Sequence, residues 1–341
     1  MHFKKQPLIR TALTAATGLF AASLYAQDTA LDDPNWFSAG PAFGLNINAS
    51  FKHLGNGSPA TQPGPATGEG IDRTYDDGFV HVDSSGNAGG QTWNWGYQHS
   101  SQVQGDTVTM NAESANGTLH ADGDPQMGFD LAYGRRLGKL WGGKWGFEAA
   151  FDFTEISIQD NSTFNGTAML VSDSYSLGGN IAPDAPYSGS FEGPGTLLGD
   201  TPTRSTSLES VMITGHRSLD AQVYALRAGL DYEVPFCKRF SARFSGGLAL
   251  AVADSKYSFN ETATFESGAV VSRAGSSSGA DVLVGGYVDA KLLCALTHHI
   301  SIFAGAQYED LGTTSRSVAG EQAQLNLEGS VNVLFGVQVS F

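Results

Sequence analysis

The last seventeen residues, LNLEGSVNVLFGVQVSF, alternate in hydropathy almost without interruption and stop on an aromatic residue. Leu325, Leu327, Val331, Val333, Phe335, Val337, Val339 and Phe341 are apolar at odd positions, with Gly329 the small interruption. The even positions, from Asn326 and Glu328 to Gln338 and Ser340, are polar or small except Leu334. A period of two means a strand with one apolar and one polar face. Soluble sandwich strands stop after about 5–6 residues, whereas crossing a bilayer takes about 9–11 tilted residues. A strand of this length points to a chain that crosses a membrane as β-structure.

Seven further segments obey the same rule. Residues 42–52 place Phe43, Leu45, Ile47, Ala49 and Phe51 on one face, and residues 126–135 place Met127, Phe129, Leu131 and Tyr133. Residues 144–154 contribute Trp145, Phe147, Ala149, Phe151 and Phe153. Residues 220–234 run from Tyr224 to Val234, and 240–253 from Phe240 to Val252. Residues 281–292 run from Val282 to Leu292, and 300–309 from Ile300 to Tyr308. With 323–341 the strands number eight. Long connections (53–125, 155–219, 254–280, 310–322) alternate with short ones (136–143, 235–239, 293–299). Short turns on one side and long loops on the other are expected of an up-and-down barrel. The fold expected is all-β: an eight-stranded antiparallel up-and-down transmembrane β-barrel with long extracellular loops, closed because lipid tolerates no open sheet edge.

The N-terminus fits export. Lys4, Lys5 and Arg10 precede a short stretch rich in small apolar residues, and Ala26 offers a cleavage point, so residues 1–26 read as a signal peptide and 27–341 as the barrel. Removing three basic residues and no acidic one moves the net charge from −15 to −18. This acidity excludes nucleic acid as a partner. A mean hydropathy of −0.15 with 43 glycines suits a barrel, whose strands are half apolar and whose loops are polar.

The opposite strand faces carry Asp130, Glu148, Asp152, Arg227, Asp231, Arg243, Asp289, Lys291, Glu309 and Glu328. An eight-stranded barrel is just wide enough inside for side chains to fill, and charges there must be paired or hydrated. The expectation is a network that blocks the lumen; a narrow cation-preferring path is the alternative. Tyr133, Trp145, Tyr232, Phe240 and Phe341 fall at the short-turn ends, and Tyr308, Phe51 and Tyr224 at the others, as two aromatic girdles would require. Cys237 and Cys294 lie in neighbouring short turns. Pairing Phe240 with Ala290 would bring them together on the periplasmic rim, so a Cys237–Cys294 disulfide is expected, with two free thiols as the alternative.

The first long loop holds Trp93, Trp95 and Tyr97, which alternate, and then Val108, Met110 and Ala112. This reads as a β-hairpin over about 71–113 standing above the membrane; if its arms cross the bilayer, the barrel has ten strands. The three aromatics could anchor a ligand or glue the loop to itself. Asp76, Asp77, Asp83 and Asn87 are oxygen-rich, but their spacing fits no EF-hand, and no metal or cofactor is expected. The 159–218 loop carries no motif. His53, His81, His99, His120 and His216 lie in the outer regions without a nucleophile-elbow signature, so no enzyme is expected.

The eight-strand pattern, the loop asymmetry and the terminal Phe341 resemble the OmpA/OmpX-type outer-membrane β-barrel superfamily of Gram-negative bacteria. The resemblance covers the strands alone. It implies a place in outer-membrane lipid, assembly machinery that reads Phe341, and structural or adhesive surface work, sometimes with weak pores. It carries over no catalytic residue. The chain departs from OmpA in having no periplasmic peptidoglycan-binding domain and from OmpX in its longer first and second loops. Two functions stay open: a closed barrel whose loops serve adhesion or ligand binding, and a porin-like diffusion channel.

Overall fold

A computed structural model describes residues 33–55, 63–123 and 125–341; the signal segment 1–26 lies outside them. Eight antiparallel strands close into a ring: β1 (Asn35–Leu45), β2 (Gln126–Leu140), β3 (Gly143–Asp160), β4 (Thr203–Pro235), β5 (Phe240–Phe265), β6 (Val270–Ala295), β7 (Ile300–Asp310) and β8 (Ser330–Ser340). Each pairs with its chain neighbours, and β8 returns to β1, with Trp36 opposite Ser340 and Leu45 opposite Val331.

The ring has two zones, divided by which face is apolar. Below, large apolar side chains point outward and are exposed, among them Met127, Leu230, Leu248, Val284 and Phe335, while charged residues point in. Above, the polarity reverses. Phe153, Tyr224, Val252 and Val282 form one cross-strand row on β3 to β6, and the next outward row is Glu155, Gln222, Asp254 and Ala280. On the inner face above this line Ile156, Leu219, Tyr257 and Phe259 are buried in a single apolar core. Strand parity is unbroken along β3 to β6 through this row; only the identity of the apolar face changes.

Strands β3 to β6 run past the dividing line, whereas β1, β7 and β8 break at it and β2 begins there. The segment expected at 42–52 is therefore two strands, β1 and Asn48–Leu54, separated at Asn46. The terminal strand likewise divides into Glu321–Asn326 and β8 at Gly329. Asn46 (φ 60°) and Gly329 (φ 66°) occupy the left-handed region, and the Asn46 amide donates to the Gly329 carbonyl at 2.9 Å, so both breaks fall at one level. Beyond them a four-stranded sheet (Thr313–Val318, Glu321–Asn326, Asn48–Leu54, Gly117–Asp122) completes the wall of the upper zone. Its inner face supplies Ala49, Phe51, Ala323 and Leu325 to the upper core. Phe51, expected in an aromatic girdle, is thus a core residue.

The 159–218 stretch, expected as a loop, extends the sheet instead. Phe164–Ser176 pairs with the upper part of β4, from Phe164 opposite Ile213 to Ser174 opposite Thr203. Thr107–Ala115 pairs in turn with Phe164–Ser176. The arms expected to form a hairpin within 71–113 do not pair with each other: Trp95–Tyr97 joins Gly78–Val80 and Tyr187–Ser188 in a separate small sheet.

Candidate functional site

The inward charges of the lower zone meet across the lumen in two tiers. In the upper tier the Arg227 guanidinium donates to Asp130 and Asp152, the second at 2.9 Å through Nη2, and lies 3.8 Å from Glu148 and Asp289. Lys291 faces Asp289 at 3.3 Å and Asp130 at 3.8 Å. These contacts join β2, β3, β4 and β6, so side chains cross the ring. In the lower tier Arg243 donates to Gln338 (2.7 Å) and Glu233 (2.7 Å) and lies 3.8 Å from Asp231. Arg136 donates to the same Glu233 at 2.9 Å. The Arg243 guanidinium also lies over the buried Trp36, 3.9 Å from the ring centroid. That stacking needs Gly134, where a Cβ would sit 2.2 Å from the indole.

Asp130, Glu148, Asp152, Arg227, Asp231, Arg243, Asp289 and Lys291 are all buried inside the ring, as parity requires. Glu328 is not: it lies exposed in the turn that separates Glu321–Asn326 from β8. Strand parity does not extend across a turn, which is why the expectation failed there. Sequence reasoning passed over Trp36, Arg136 and Gln338. Trp36 and Arg136 lie beyond the segments read as strands, and Gln338 was placed on the polar face without being assigned to the network.

The loop residues singled out as binding candidates pack within the head, the β-rich part of the molecule above the dividing row. Trp95 and Tyr97 are 0% and 2% exposed in a second core with Tyr75, Met110, Tyr175 and Leu198. Trp95 Nε1 donates to the Thr196 carbonyl at 2.7 Å, and the Tyr97 hydroxyl to the Pro183 carbonyl. The half-buried Trp93 donates to the Phe191 carbonyl at 3.2 Å. Tyr75 OH donates to Asp173, whose carboxylate also pairs with Arg204 at 2.6 Å. The oxygen-rich stretch is also spoken for. Asp77 accepts from the Asn111 backbone and amide, Asp76 from the Glu113 N–H, and Asp83 from Ser85, Asn87 and Trp93. Asp76 and Asp77 thereby cap Asn111 and Glu113 on the edge of Thr107–Ala115, beyond its short pairing with Val103–Gln104. Among the described residues no three His, Cys, Asp or Glu side chains converge as a metal site.

No family model matches the chain, and no curated protein matches it in sequence. Solved structures are similar to it in arrangement. Outer membrane protein OprG from Pseudomonas aeruginosa aligns with a TM-score of 0.36 at 10% identity, covering 90% of this chain and 95% of OprG. The outer membrane protease OmpT from Escherichia coli gives 0.35 at 8%, covering 93% and 100%. Ail, the attachment invasion locus protein of Yersinia pestis, gives 0.30 at 10%, covering 91% and 100%.

Cys237 is exposed and Cys294 half-buried, and both are free, in place of the expected disulfide. The cause is register: Phe240 stands opposite Cys294, not Ala290, so Cys237 lies three residues further into the turn. In the head, His120 bonds Ser50 at 2.9 Å, His53 bonds Asn116 at 2.9 Å and His216 bonds Asn161 at 2.7 Å. The head also holds two carboxyl pairs. Glu321 accepts from Tyr257 OH at 3.0 Å beside Glu261, which pairs with the buried Arg217; burial and the Glu261 charge push Glu321 up to about 8. Burial and the neighbouring Glu209 push Glu113 up to about 7.

Proposed function

We propose that this chain spans the bacterial outer membrane as an eight-stranded barrel with a closed lumen and holds a folded β-rich head outside for surface structure or binding. The observation that carries the reading is the reversal of face polarity along one cross-strand row. Outward apolar side chains suit lipid and outward polar ones suit water, and the apolar stretch of β5 matches a bilayer. Phe240 to Val252 spans about 40 Å along the strand, or about 30 Å in height at the tilt usual for such barrels. Trp145, Tyr232, Phe240 and Phe341 would form the girdle at the short-turn rim and Tyr308 part of the other. The signal peptide and recognition of Phe341 by assembly machinery belong to the same proposal.

Closure of the lumen rests on Arg227, Lys291 and Arg243 crossing it with their carboxylates. Purified protein in a planar bilayer should give no steady conductance; reproducible single-channel steps would replace this reading with a diffusion channel. One observation favours that second reading: Glu148 Oε2, Asp289 Oδ1 and Glu309 Oε1 are buried carboxylate oxygens without a protein donor, which water or a cation would satisfy. The contact surface offered by the head is its outer sheet face. There Met169 and Leu208 form an exposed cross-strand pair, and Met212 is exposed further along the same strand. The proposal is non-catalytic, and lipid turnover lost on His120→Ala would contradict it.

A further inference from the structure

Although the chain carries a net charge of −15, the end with the short turns is cationic. Arg135, Arg136, Lys139, Lys144, Lys238 and Arg239 stand there against Asp33 and Glu233. Glu233 is already engaged by Arg136 and Arg243, and Asp33 faces His299 at 3.2 Å. At the opposite edge of the apolar belt the outward residues are mainly acidic: Glu155, Asp220 and Asp254, with Lys256 among them. The two rims therefore differ in sign.

Each short turn also exposes an apolar residue, in two of them next to cations. Phe236 precedes Lys238 and Arg239, Trp141 follows Lys139, and Leu296 lies in the third turn. Trp141 is the most telling. It is 90% exposed in the two-residue turn between β2 and β3, at φ 47° and followed by Gly142 at φ 83°. A turn of this kind prefers Asn, Asp or Gly, and an aromatic side chain in the left-handed region is strained. The same hairpin places Lys139 opposite Lys144, whose other cross-strand neighbour is Glu233. Backbone and solvation both work against Trp141 in this turn in the isolated molecule, so what the turn suits lies outside the molecule.

We propose that the short-turn end docks on anionic phospholipid headgroups of the leaflet it meets, an inference that rests on the membrane-spanning reading above. Trp141 and Phe236 would sit at the headgroup level, where amphipathic and aromatic rings partition, and Lys139, Lys238 and Arg239 would donate to phosphodiester oxygens. Charge complementarity selects acidic lipids over zwitterionic ones.

The test uses the full chain folded into mixed phosphatidylcholine–phosphatidylglycerol vesicles, with bromine on the acyl chains of one lipid or the other at equal total bromine. The share of fluorescence from Trp141 is obtained by difference from Trp141→Phe. Quenching of Trp141 should be several-fold greater when phosphatidylglycerol carries the bromine. That preference should vanish in Lys139→Gln/Lys238→Gln/Arg239→Gln, whose changes are at exposed positions of the short-turn rim. Equal quenching by both lipids in the wild type overturns the inference while leaving the spanning reading intact. Absence of quenching of Trp145 by either lipid, with no heat-modifiable shift on gels, overturns both.

Discussion

Arg227 occupies the point where carboxylates from β2, β3 and β6 converge, and it is itself buried. Removing one partner of a buried ion pair costs more than the pair contributes, because the remaining charges stay buried. Arg227→Met should therefore lower stability by about 3–5 kcal/mol, read as a shift of the urea midpoint of the ring in micelles. A loss below about 1 kcal/mol would mean that water already solvates Asp130 and Asp152. Residues of this kind were legible in the sequence because strand parity alone assigns each of them a face. Parity does not distinguish an aromatic that binds a ligand from one that fills a core, so Trp95 and Tyr97 could not be placed. Arg217, buried against Glu261 and Asp160, carried no signal at all, since its segment is apolar on the other face from the strands read below it.

Among the elements, the hairpin Thr313–Val318/Glu321–Asn326 stands out for how it meets β6. The β6–β7 ladder ends at Gly286 opposite Asp310. Above that point β6 and Thr313–Val318 are joined by Arg316, which donates to Asp281 and to the Gly279 carbonyl and reaches the Ser255 carbonyl at 3.4 Å. The other strand of the hairpin brings Glu321 against Tyr257, Glu261 and Arg217. Because Glu321 is raised from 4.5 to about 8, its contribution to docking is full below about pH 4.5 and is lost as pH rises through 8. Amide exchange over 313–326 should be faster at pH 9 than at pH 6 beyond its intrinsic pH dependence, and Glu321→Gln should remove the excess. An unchanged excess in that variant would assign it elsewhere. The ring strands were legible to within a few residues where the apolar face is the outer one. Their continuations were missed because Ser, Thr and Gly dominate the outer face of 255–280, and because 203–210 is polar on both faces apart from Leu208, so both stretches are easily taken for loop. The breaks at Asn46 and Gly329 escaped notice because alternation stays in phase across both.

At the scale of the molecule, the membrane-spanning proposal assigns two different solvents to two different cores. The head buries apolar clusters as a soluble protein does, while the lower ring buries charge and exposes hydrocarbon. Two transitions are expected in urea: loss of the buried Trp95 environment first, by near-ultraviolet circular dichroism, then loss of the heat-modifiable gel shift. Coincident transitions would show one cooperative unit. Strands β4, β5 and β6 belong to both halves, at 33, 26 and 26 residues. Their ladder bonds lie across the strand direction, so a pull on the head along the barrel axis loads dozens of them side by side in shear. Peeling, which breaks such bonds one at a time, has no starting edge on these strands short of the splayed margin of β6. A tether fixed to the head would meet a joint built for tension, with Arg316 at its seam as the first place to yield.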